Sequence, residues 1–263
     1  MKEFEGNKTL LPLISGKSPY EGSHPILLNI LNSLPAGPKA VVVNHQKEEV
    51  MEATRDLGLT YCEQPTLNGT GGALLAAQTF LERQECDELI ITMGDVPLVK
   101  SSTYQGLLNN LRNKSLAVLA FRPESKKKYG VLEIEQDQVR RIIEWKYWNT
   151  YSEERQRTFR LCNSGIYAAR KKDLLQYLLV LASKPHKVHK EINGKLTLVR
   201  EYFITDLVEY MCEGGLPVGY VTAENEEEVM GVDDAPALVK AREIFRKGCA
   251  VLRSQGRNSQ PPQ

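Results

Sequence analysis

Several features are absent from this sequence, and each absence excludes a class of protein. No uncharged apolar run reaches the roughly 18 residues of a membrane span, and the N-terminal segment MKEFEGNKTLLPL lacks the apolar core of a secretory signal. The five cysteines lie far apart, with no CxxC and no Cys/His cluster. Formal net charge is only +1, so no overall field attracts nucleic acid or an anionic membrane. We therefore expect a cytoplasmic protein with reduced thiols that binds neither.

What is present is typical of one large α/β domain. The chain has 263 residues, of which 41% are hydrophobic and 25% charged. A short apolar strand at Ala40–Val43 precedes an amphipathic helix at Lys47–Leu57 and a further strand at Thr60–Cys62. Strands that alternate with helices predict a parallel sheet of βα units.

The stretch Leu89–Val99, LIITMGDVPLV, is the most informative part of the chain. Its apolar start predicts a strand buried on both faces, as in the centre of a parallel sheet. Asp95 then lies where this strand ends, the end that faces the ligand crevice in open α/β sheets. Two interpretations stay open from these residues alone: Asp95 is a metal or phosphate-site residue, or it caps the turn before a helix.

A glycine-rich loop follows the Thr60–Cys62 strand. Residues 63–72 read EQPTLNGTGG and lead into strong helix formers at Ala73–Leu81. Free backbone N–H groups and a hydroxyl at a helix start suit a phosphate or a base edge. The alternative is a flexible turn with a glycine-tolerant helix start.

The second half adds strands and polar insertions. We predict a strand at Leu116–Phe121, a hairpin that turns at Gln136-Asp137, and a strand at Arg160–Ala169 interrupted at Asn163–Gly165. Trp145 and Trp148 could cover a pocket or serve packing.

Three further segments complete the chain. We interpret Lys184–Lys195 as a polar, basic loop whose two histidines are surface residues rather than metal ligands. The last helix is predicted at Pro236–Lys247, followed by a flexible tail at 248–263.

Several of these segments occur in the same order in one enzyme family. The chain resembles the sugar-nucleotide pyrophosphorylases, and in particular the uridyltransferase domain of bacterial N-acetylglucosamine-1-phosphate uridyltransferases. The matching segments are Gln64 with Asn68-Gly69-Thr70-Gly71, Gly94-Asp95-Val-Pro-Leu98, Tyr129-Gly130, Arg141-Ile-Ile-Glu144-Trp-Lys146, Asn163-Ser-Gly165-Ile166, Glu201-Tyr-Phe-Ile-Thr205-Asp206 and Glu228-Val-Met-Gly-Val-Asp233-Asp234. Each motif is weak alone, and the ordered set is specific.

The resemblance implies a nucleotide-diphospho-sugar transferase fold. This is a Rossmann-like, mostly parallel sheet with helices on both faces, here a domain at 1–247 with a small β-rich sugar-binding lobe at roughly 126–201. The implied uracil contacts are Gln64, Gly69 and Thr70. The implied contacts to the amino sugar phosphate are Gly130, Glu144, Asn163 and Thr205.

The resemblance also implies a magnesium site at the end of the sheet. Asp95 would be one Mg²⁺ ligand and a catalytic residue, and Lys8 would be the catalytic lysine that follows the family's phosphate loop. Asp233 stands where the family usually has an asparagine ligand. This change keeps an oxygen ligand and adds a charge, which a hard cation tolerates.

The main departure from the family lies at the front of the chain. The family opens with a strand and a loop of the form LAAGxGTRM that cradles the triphosphate, and in register Met1 coincides with the methionine that ends this loop. The first strand and the cradle are therefore missing, which would leave strand edges unpaired. Either the true start lies upstream, which we favour because the later motifs are intact, or the chain is a shortened, inactive relative.

The expected reaction is the formation of UDP-N-acetylglucosamine and pyrophosphate from UTP and N-acetylglucosamine 1-phosphate, for cell-envelope precursors. The acetyltransferase β-helix of bifunctional relatives is absent, since no hexapeptide period follows Lys247. An oligomer is possible but not indicated. The alternatives are another nucleotide and sugar phosphate pair, or a noncatalytic sugar-nucleotide-binding protein.

Overall fold

The computed structural model describes residues 6–18, 20–126, 128–192 and 195–257. The strands are β1 (Pro12–Ser15), β2 (Gly22–Pro25), β3 (Ala40–Val43), β4 (Thr60–Glu63), β5 (Glu88–Ile91), β6 (Leu116–Phe121), β7 (Val131–Glu135), β8 (Gln138–Ile143), β9 (Cys162–Arg170), β10 (His186–Ile192), β11 (Lys195–Glu201) and β12 (Val218–Thr222). The helices are α1 (Ile26–Ser33), α2 (Lys47–Ala53), α3 (Thr70–Ala76), α4 (Gln78–Arg83), α5 (Ser101–Asn110), α6 (Trp145–Trp148), α7 (Glu153–Thr158), α8 (Lys171–Ser183), α9 (Asp206–Glu213) and α10 (Ala235–Arg257).

Strand β9 organises the main sheet. It pairs antiparallel with β6 along one edge, and along the other edge with β5 near its end and β7 near its start. Strands β5, β6 and β7 therefore point the same way, and β12 joins them because it pairs parallel with β6. The predicted α/β class, with a mostly parallel sheet between helices, is confirmed. The antiparallel strand at its centre was not predicted.

The sheet is covered on both faces, as the apolar run of β6 requires. All six of its residues are buried. Leu116, Val118 and Ala120 pack with α8 and α9, and the residues between them pack with Tyr104 and Leu107 of α5. Alternate side chains of a strand point to opposite faces, so β6 is the wall between two apolar layers.

Most predicted elements appear at the expected positions. Strand β3 has the predicted bounds, and β7 and β8 form the predicted hairpin, with positive φ at Gln136 and Asp137. The predicted helix Ala73–Leu81 is divided at Ala77 into α3 and α4. The strand through Asn163–Gly165 is continuous, and Gly165, at φ +82°, lies in the part of β9 where its register with β6 shifts.

The prediction of a loop at Lys184–Lys195 was wrong. Residues His186–Ile192 form β10, which pairs along its whole length with β11. Polar side chains suggested a loop, but a hairpin needs only main-chain pairing and a few apolar contacts such as Val188 opposite Val199. The last helix also continues past Lys247 to Arg257, so the predicted tail begins within a helix. Residues 258–263 lie outside the described part.

Strand β5 is less buried than its sequence predicts. Its four residues are all half-buried, although Leu89 and Ile91 pack on one apolar layer and Ile90 on the other. A cavity of about 440 Å³ lies beside it and is also lined by β3. In the described part of the chain, β3 pairs only with β4 and β5 only with β9.

Two further findings concern the cysteines and the helices. All five cysteines are free thiols. Over the described ranges, no helix combines the length and apolar character needed to cross a bilayer.

Candidate active site

Lys8 and two carboxylates meet where β5 ends. Lys8 Nζ lies 2.8 Å from Asp95 Oδ2 and 2.9 Å from Asp233 Oδ1. Asp95 follows β5 by four residues, and Asp233 stands two residues before α10. The fold therefore joins three residues that the sequence predicted from distant segments. We call them the lysine–carboxylate cluster.

Two anchors, one through the main chain and one through a side chain, hold the segment that carries Asp233. The Val232 amide donates to the Asp95 carbonyl oxygen at 2.8 Å. Upstream, the carboxylate of Glu228, only 3% exposed, accepts from the Lys100 amide and the Thr103 hydroxyl at the start of α5. A buried carboxylate with several donors is fixed in place, so the segment that leads to Asp233 is well anchored.

The charges of the cluster affect the groups around it. Partial burial disfavours the charge of Lys8, but the hydrogen bonds and charges of Asp95 and Asp233 outweigh it and raise the pKa of Lys8. Burial, with smaller contributions from the charges of Glu226 and Asp233, raises the pKa of Tyr129. Lys8 is therefore a firmly held cation between two anions.

The two carboxylates suit a hard divalent cation. Within the described residues, no three His, Cys, Asp or Glu side chains are grouped as a metal site. Mg²⁺ needs no such group, because it is usually held by one or two carboxylates, with water and phosphate oxygens as the other ligands. The position between Asp95 and Asp233 already attracts an ammonium group, and its oxygen donors fit Mg²⁺.

The glycine-rich loop forms the second part of the site. Gln64 Nε2 donates to Asn68 Oδ1 at 2.8 Å and to the Gly69 carbonyl at 3.0 Å. Gly69 has φ +94° and immediately precedes α3, and a Cβ there would overlap the Tyr202 carbonyl oxygen. Only glycine fits this backbone without strain. The hydrogen bonds of Gln64 fix the direction of its side-chain amide.

Main-chain bonds tie this loop to the segment before α9. The Gly71 amide donates to the Tyr202 carbonyl, and the Tyr202 amide donates to the Asn68 carbonyl, each at 2.8 Å. The Ile204 amide donates to the Thr70 hydroxyl at 3.2 Å. Because Thr205 directly follows Ile204, these bonds hold the glycine-rich loop next to Thr205.

The third part brings together the four residues of the implied sugar phosphate site. The Thr205 hydroxyl donates to Glu144 Oε1 at 2.9 Å. The Asn163 amide donates to the Gly130 carbonyl at 2.9 Å, and a Cβ on Gly130 would lie 3.6 Å from Glu144 Oε2. Asn163 Nδ2 also donates to the Tyr167 hydroxyl at 2.9 Å, which orients the side chain.

The third part adjoins the lysine–carboxylate cluster through Gly165. A Cβ on Gly165 would lie 3.2 Å from Met93 Cγ, and Met93 is two residues from Asp95. The bulged strand around Asn163 therefore packs directly on the segment that carries Asp95. All the residues that the resemblance singled out lie in one connected region of the fold.

Some residues of this region were not identified from the sequence. Asn68 bridges Gln64 and Tyr202, and Glu228 anchors the Asp233 segment. Asn68 and Glu228 each belonged to a matched motif without an assigned role. Trp148 is 6% exposed and donates to the Tyr129 carbonyl at 2.8 Å, which favours packing over a pocket cover.

His186 was predicted to be a surface residue. It lies on β10, half-buried, and its Nε2 is 2.7 Å from Asp206 Oδ2. Asp206 is next to Thr205, so this contact supports the start of α9 beside the third part of the site.

Comparisons with known proteins show the family of this chain. Residues 2–190 match the family described as the MobA-like NTP transferase domain. The bifunctional protein GlmU of Wolbachia pipientis wMel is 33% identical over 230 residues, which are 86% of this chain and 49% of that protein. GlmU of Wolbachia sp. subsp. Brugia malayi is 32% identical over 209 residues, which are 79% of this chain and 46% of that protein. The chain thus spans about half the length of these curated relatives.

Solved structures share the fold. A nucleoside-diphosphate-sugar pyrophosphorylase from Vibrio cholerae RC9 superposes with a TM-score of 0.58 at 16% identity, covering 86% of this chain and 87% of that one. A CMP:2-keto-3-deoxy-manno-octonic acid synthetase in complex with CTP gives 0.59 at 18% identity, with 92% of each chain covered. The predicted resemblance to sugar-nucleotide pyrophosphorylases is confirmed, and the chain belongs to the family of MobA-like NTP transferase domains.

Proposed function

We propose that this protein transfers a uridylyl group from UTP to N-acetylglucosamine 1-phosphate and releases pyrophosphate. The observation that carries this proposal is the contact of Gly165 with Met93, which places the segment of Asn163 beside the segment that carries Asp95. A nucleotidyl transfer needs a cationic centre for the triphosphate beside a polar site for the acceptor. This region offers Lys8 and two carboxylates that would hold a divalent cation, beside a polar group for the acceptor.

The reaction itself requires little covalent work from the protein. A phosphate oxygen of the sugar 1-phosphate attacks the α-phosphorus of UTP, and the bond to the β-phosphate oxygen breaks so that pyrophosphate leaves. Lys8 supplies a positive charge next to the transferred phosphoryl group. Glu144 and Thr205 orient the sugar through its hydroxyl and amide groups, and Gln64 with Gly69 presents amide groups to the base.

Mg²⁺ fits between Asp95 and Asp233 and, when bound, would neutralise phosphate charge as the leaving group departs. Asp95 and Asp233 would hold the cation, and Lys8, which now contacts both, would then be available to contact phosphate. Asp233 in place of asparagine adds a negative charge to this position, which favours a divalent ion over a monovalent one.

The choice of UTP and N-acetylglucosamine 1-phosphate is supported by the motif order and by the GlmU relatives. Another nucleotide and sugar pair remains the nearest alternative, because base and sugar choice depend on a few contacts. A noncatalytic sugar-nucleotide-binding protein is the second alternative.

A pyrophosphate-release assay separates these functions. UTP, CTP and dTTP are each combined with N-acetylglucosamine 1-phosphate and glucose 1-phosphate, with Mg²⁺, for this chain and for an upstream-extended form with the family loop. We expect the fastest turnover with UTP and the amino sugar phosphate. Asp95→Ala should abolish it, whereas Asp56→Ala, at a side chain that is 89% exposed and pairs with Arg55, should not.

Binding must be measured in parallel by calorimetry with UDP-N-acetylglucosamine. If neither form turns over any pair while both bind this nucleotide sugar, the protein is a binding protein and the proposed activity is wrong. Preferred turnover of a different pair would instead reassign the substrates within the same class.

A further inference from the structure

A second cavity, of about 350 Å³, lies where β7 meets the segment that leads into β9. One wall is Leu132–Ile134 of β7, and another is Phe159–Leu161, between α7 and β9. Tyr220 of β12 also lines it. None of these residues belongs to the candidate active site described above. The volume lies within the range of sites that hold small molecules.

Three arginines and one glutamate are the charged residues among the described residues of the lining. They are Arg122, Arg155, Arg160 and Glu133, and we call the space the arginine cavity. Its charged residues have a net charge of +2. Glu133 already has two cationic partners, because its Oε2 accepts from Arg141 Nε at 2.7 Å and its Oε1 lies 3.6 Å from Arg155 Nη2. The charges of Arg122 and Arg160 are therefore not balanced by this carboxylate.

Arg122 and Arg160 lie at the same end of two neighbouring strands. Arg122 directly follows β6, Arg160 stands two residues before β9, and Phe121 of β6 pairs with Cys162 of β9. Both arginines are exposed, and over the described ranges neither takes part in an ion pair. A guanidinium presents several N–H donors in one plane and can bind a phosphate through two of them at once. The two arginines are therefore available to an anion in the cavity.

The rest of the lining indicates an organic anion rather than a bare ion. Leu132, Ile134, Phe159 and Tyr220 add apolar and aromatic surface beside the arginines. Mostly apolar walls with a few charged groups are typical of sites for organic ligands, whose body contacts the walls while the charged groups fix the orientation. A phosphate ester carries close to two negative charges at neutral pH, which matches the net charge of +2.

We propose that the arginine cavity binds a small organic phosphate, and that the bound molecule orders the segments that carry Gly130 and Asn163. Gly130 directly precedes β7, and Asn163 follows Leu161 by two residues, so each continues one wall of the cavity. The Leu132 amide donates to the Leu161 carbonyl at 3.0 Å, and the Asn163 amide donates to the Gly130 carbonyl at 2.9 Å. A ligand that contacts both walls would protect these two bonds. Binding and protection are measured without an assay of catalysis, so this inference stands or falls separately from the proposed function.

Calorimetry of the full chain with phenyl phosphate and with inorganic phosphate tests the site. Phenyl phosphate should bind about tenfold more tightly, because its ring contacts the apolar walls, and its binding should weaken as NaCl is added. The double variant Arg122→Gln/Arg160→Gln should bind phenyl phosphate about tenfold more weakly, and each single variant should show a smaller loss. The matched control Arg83→Gln/Arg112→Gln removes the same charge at exposed arginines outside the cavity and should bind like the parent.

Amide hydrogen exchange shows where phenyl phosphate binds. It should slow exchange at Leu132 and Asn163 in the parent, in the matched control and in Lys8→Met, which lacks the cation of the candidate active site. The proposal is overturned if Lys8→Met abolishes binding, since the anion would then occupy the candidate active site. It is also overturned if the double variant binds like the parent, if inorganic phosphate binds as tightly as phenyl phosphate, or if neither amide is protected.

Discussion

Replacement of Lys8 by methionine tests the electrostatics of the lysine–carboxylate cluster. The variant leaves Asp95 and Asp233 facing one another without the cation that now separates them. Since Lys8 Nζ is 2.8 Å from one carboxylate oxygen and 2.9 Å from the other, those oxygens are at most about 5.7 Å apart. We expect Lys8→Met to destabilise the fold at low salt and to increase its response to Mg²⁺.

The magnitude follows from Coulomb's law. Two unit charges at this separation repel by about 0.7 kcal/mol in water and about 3 kcal/mol at an effective dielectric constant of 20. The Asp233 side chain is 78% exposed, so solvent screening brings the cost towards the lower value, about 1 kcal/mol. For a chain of this size that corresponds to a Tm lower by about 2–4 °C.

Differential scanning fluorimetry with and without millimolar MgCl₂ measures both effects. Lys47→Met is the matched control, because Lys47 contacts one carboxylate, Glu63, at 2.8 Å and has similar exposure. The variant at Lys8 should lose more stability than the control, recover in about 1 M NaCl, and gain more than the parent from Mg²⁺. Equal Tm values for the two variants, or an equal Mg²⁺ response in all three proteins, would refute this account of the cluster.

Three further variants or treatments test other parts of the structure. Thr205→Val removes the donor to Glu144 and should raise KM for the sugar phosphate about tenfold with little change in kcat, while Thr205→Ser should restore it. Gly69→Ala should cost about 1–3 kcal/mol in urea unfolding because of its φ of +94° and the Tyr202 overlap, and more than Gly58→Ala, which has open space. Burial raises the pKa of Cys162 to about 11, so mass spectrometry should show that iodoacetamide at pH 8 modifies Cys162 more slowly than Cys86. Because the folded state favours the protonated thiol, the free energy of unfolding should fall as pH rises from 9.0 to about 11.

The sequence was sufficient for elements whose residue pattern is compatible with only one type of secondary structure. The six apolar residues of β6 and the turn at Gln136-Asp137 predict a buried strand and a hairpin, and both are present. The sequence was insufficient where main-chain pairing determines the secondary structure. The polar segment that became β10 has no strong apolar alternation, and only its pairing with β11 makes it a strand.

The candidate site was predictable in its members but not in its arrangement. Asp95, Asp233 and Lys8 were each singled out from separate motifs, yet no spacing shows that one ammonium group contacts both carboxylates. Anchors such as Glu228 could not be found either. A buried glutamate in an acidic run looks like a surface residue until its donors at the start of α5 are known.

The cavity beside β5 and the lysine–carboxylate cluster meet at the end of this strand, where Gly94 lines the cavity and Asp95 belongs to the cluster. One lysine between two aspartates leaves the cluster with a net negative charge, which repels a triphosphate until a further cation is bound. The segment that carries Asp95 is held by the Val232 amide on one side and borders an unfilled cavity on the other. The Val232 amide ties the segment of Asp95 to the segment of Asp233, and the Glu228 anchor holds the latter, so a divalent ion would bind between two ligands that need little further ordering.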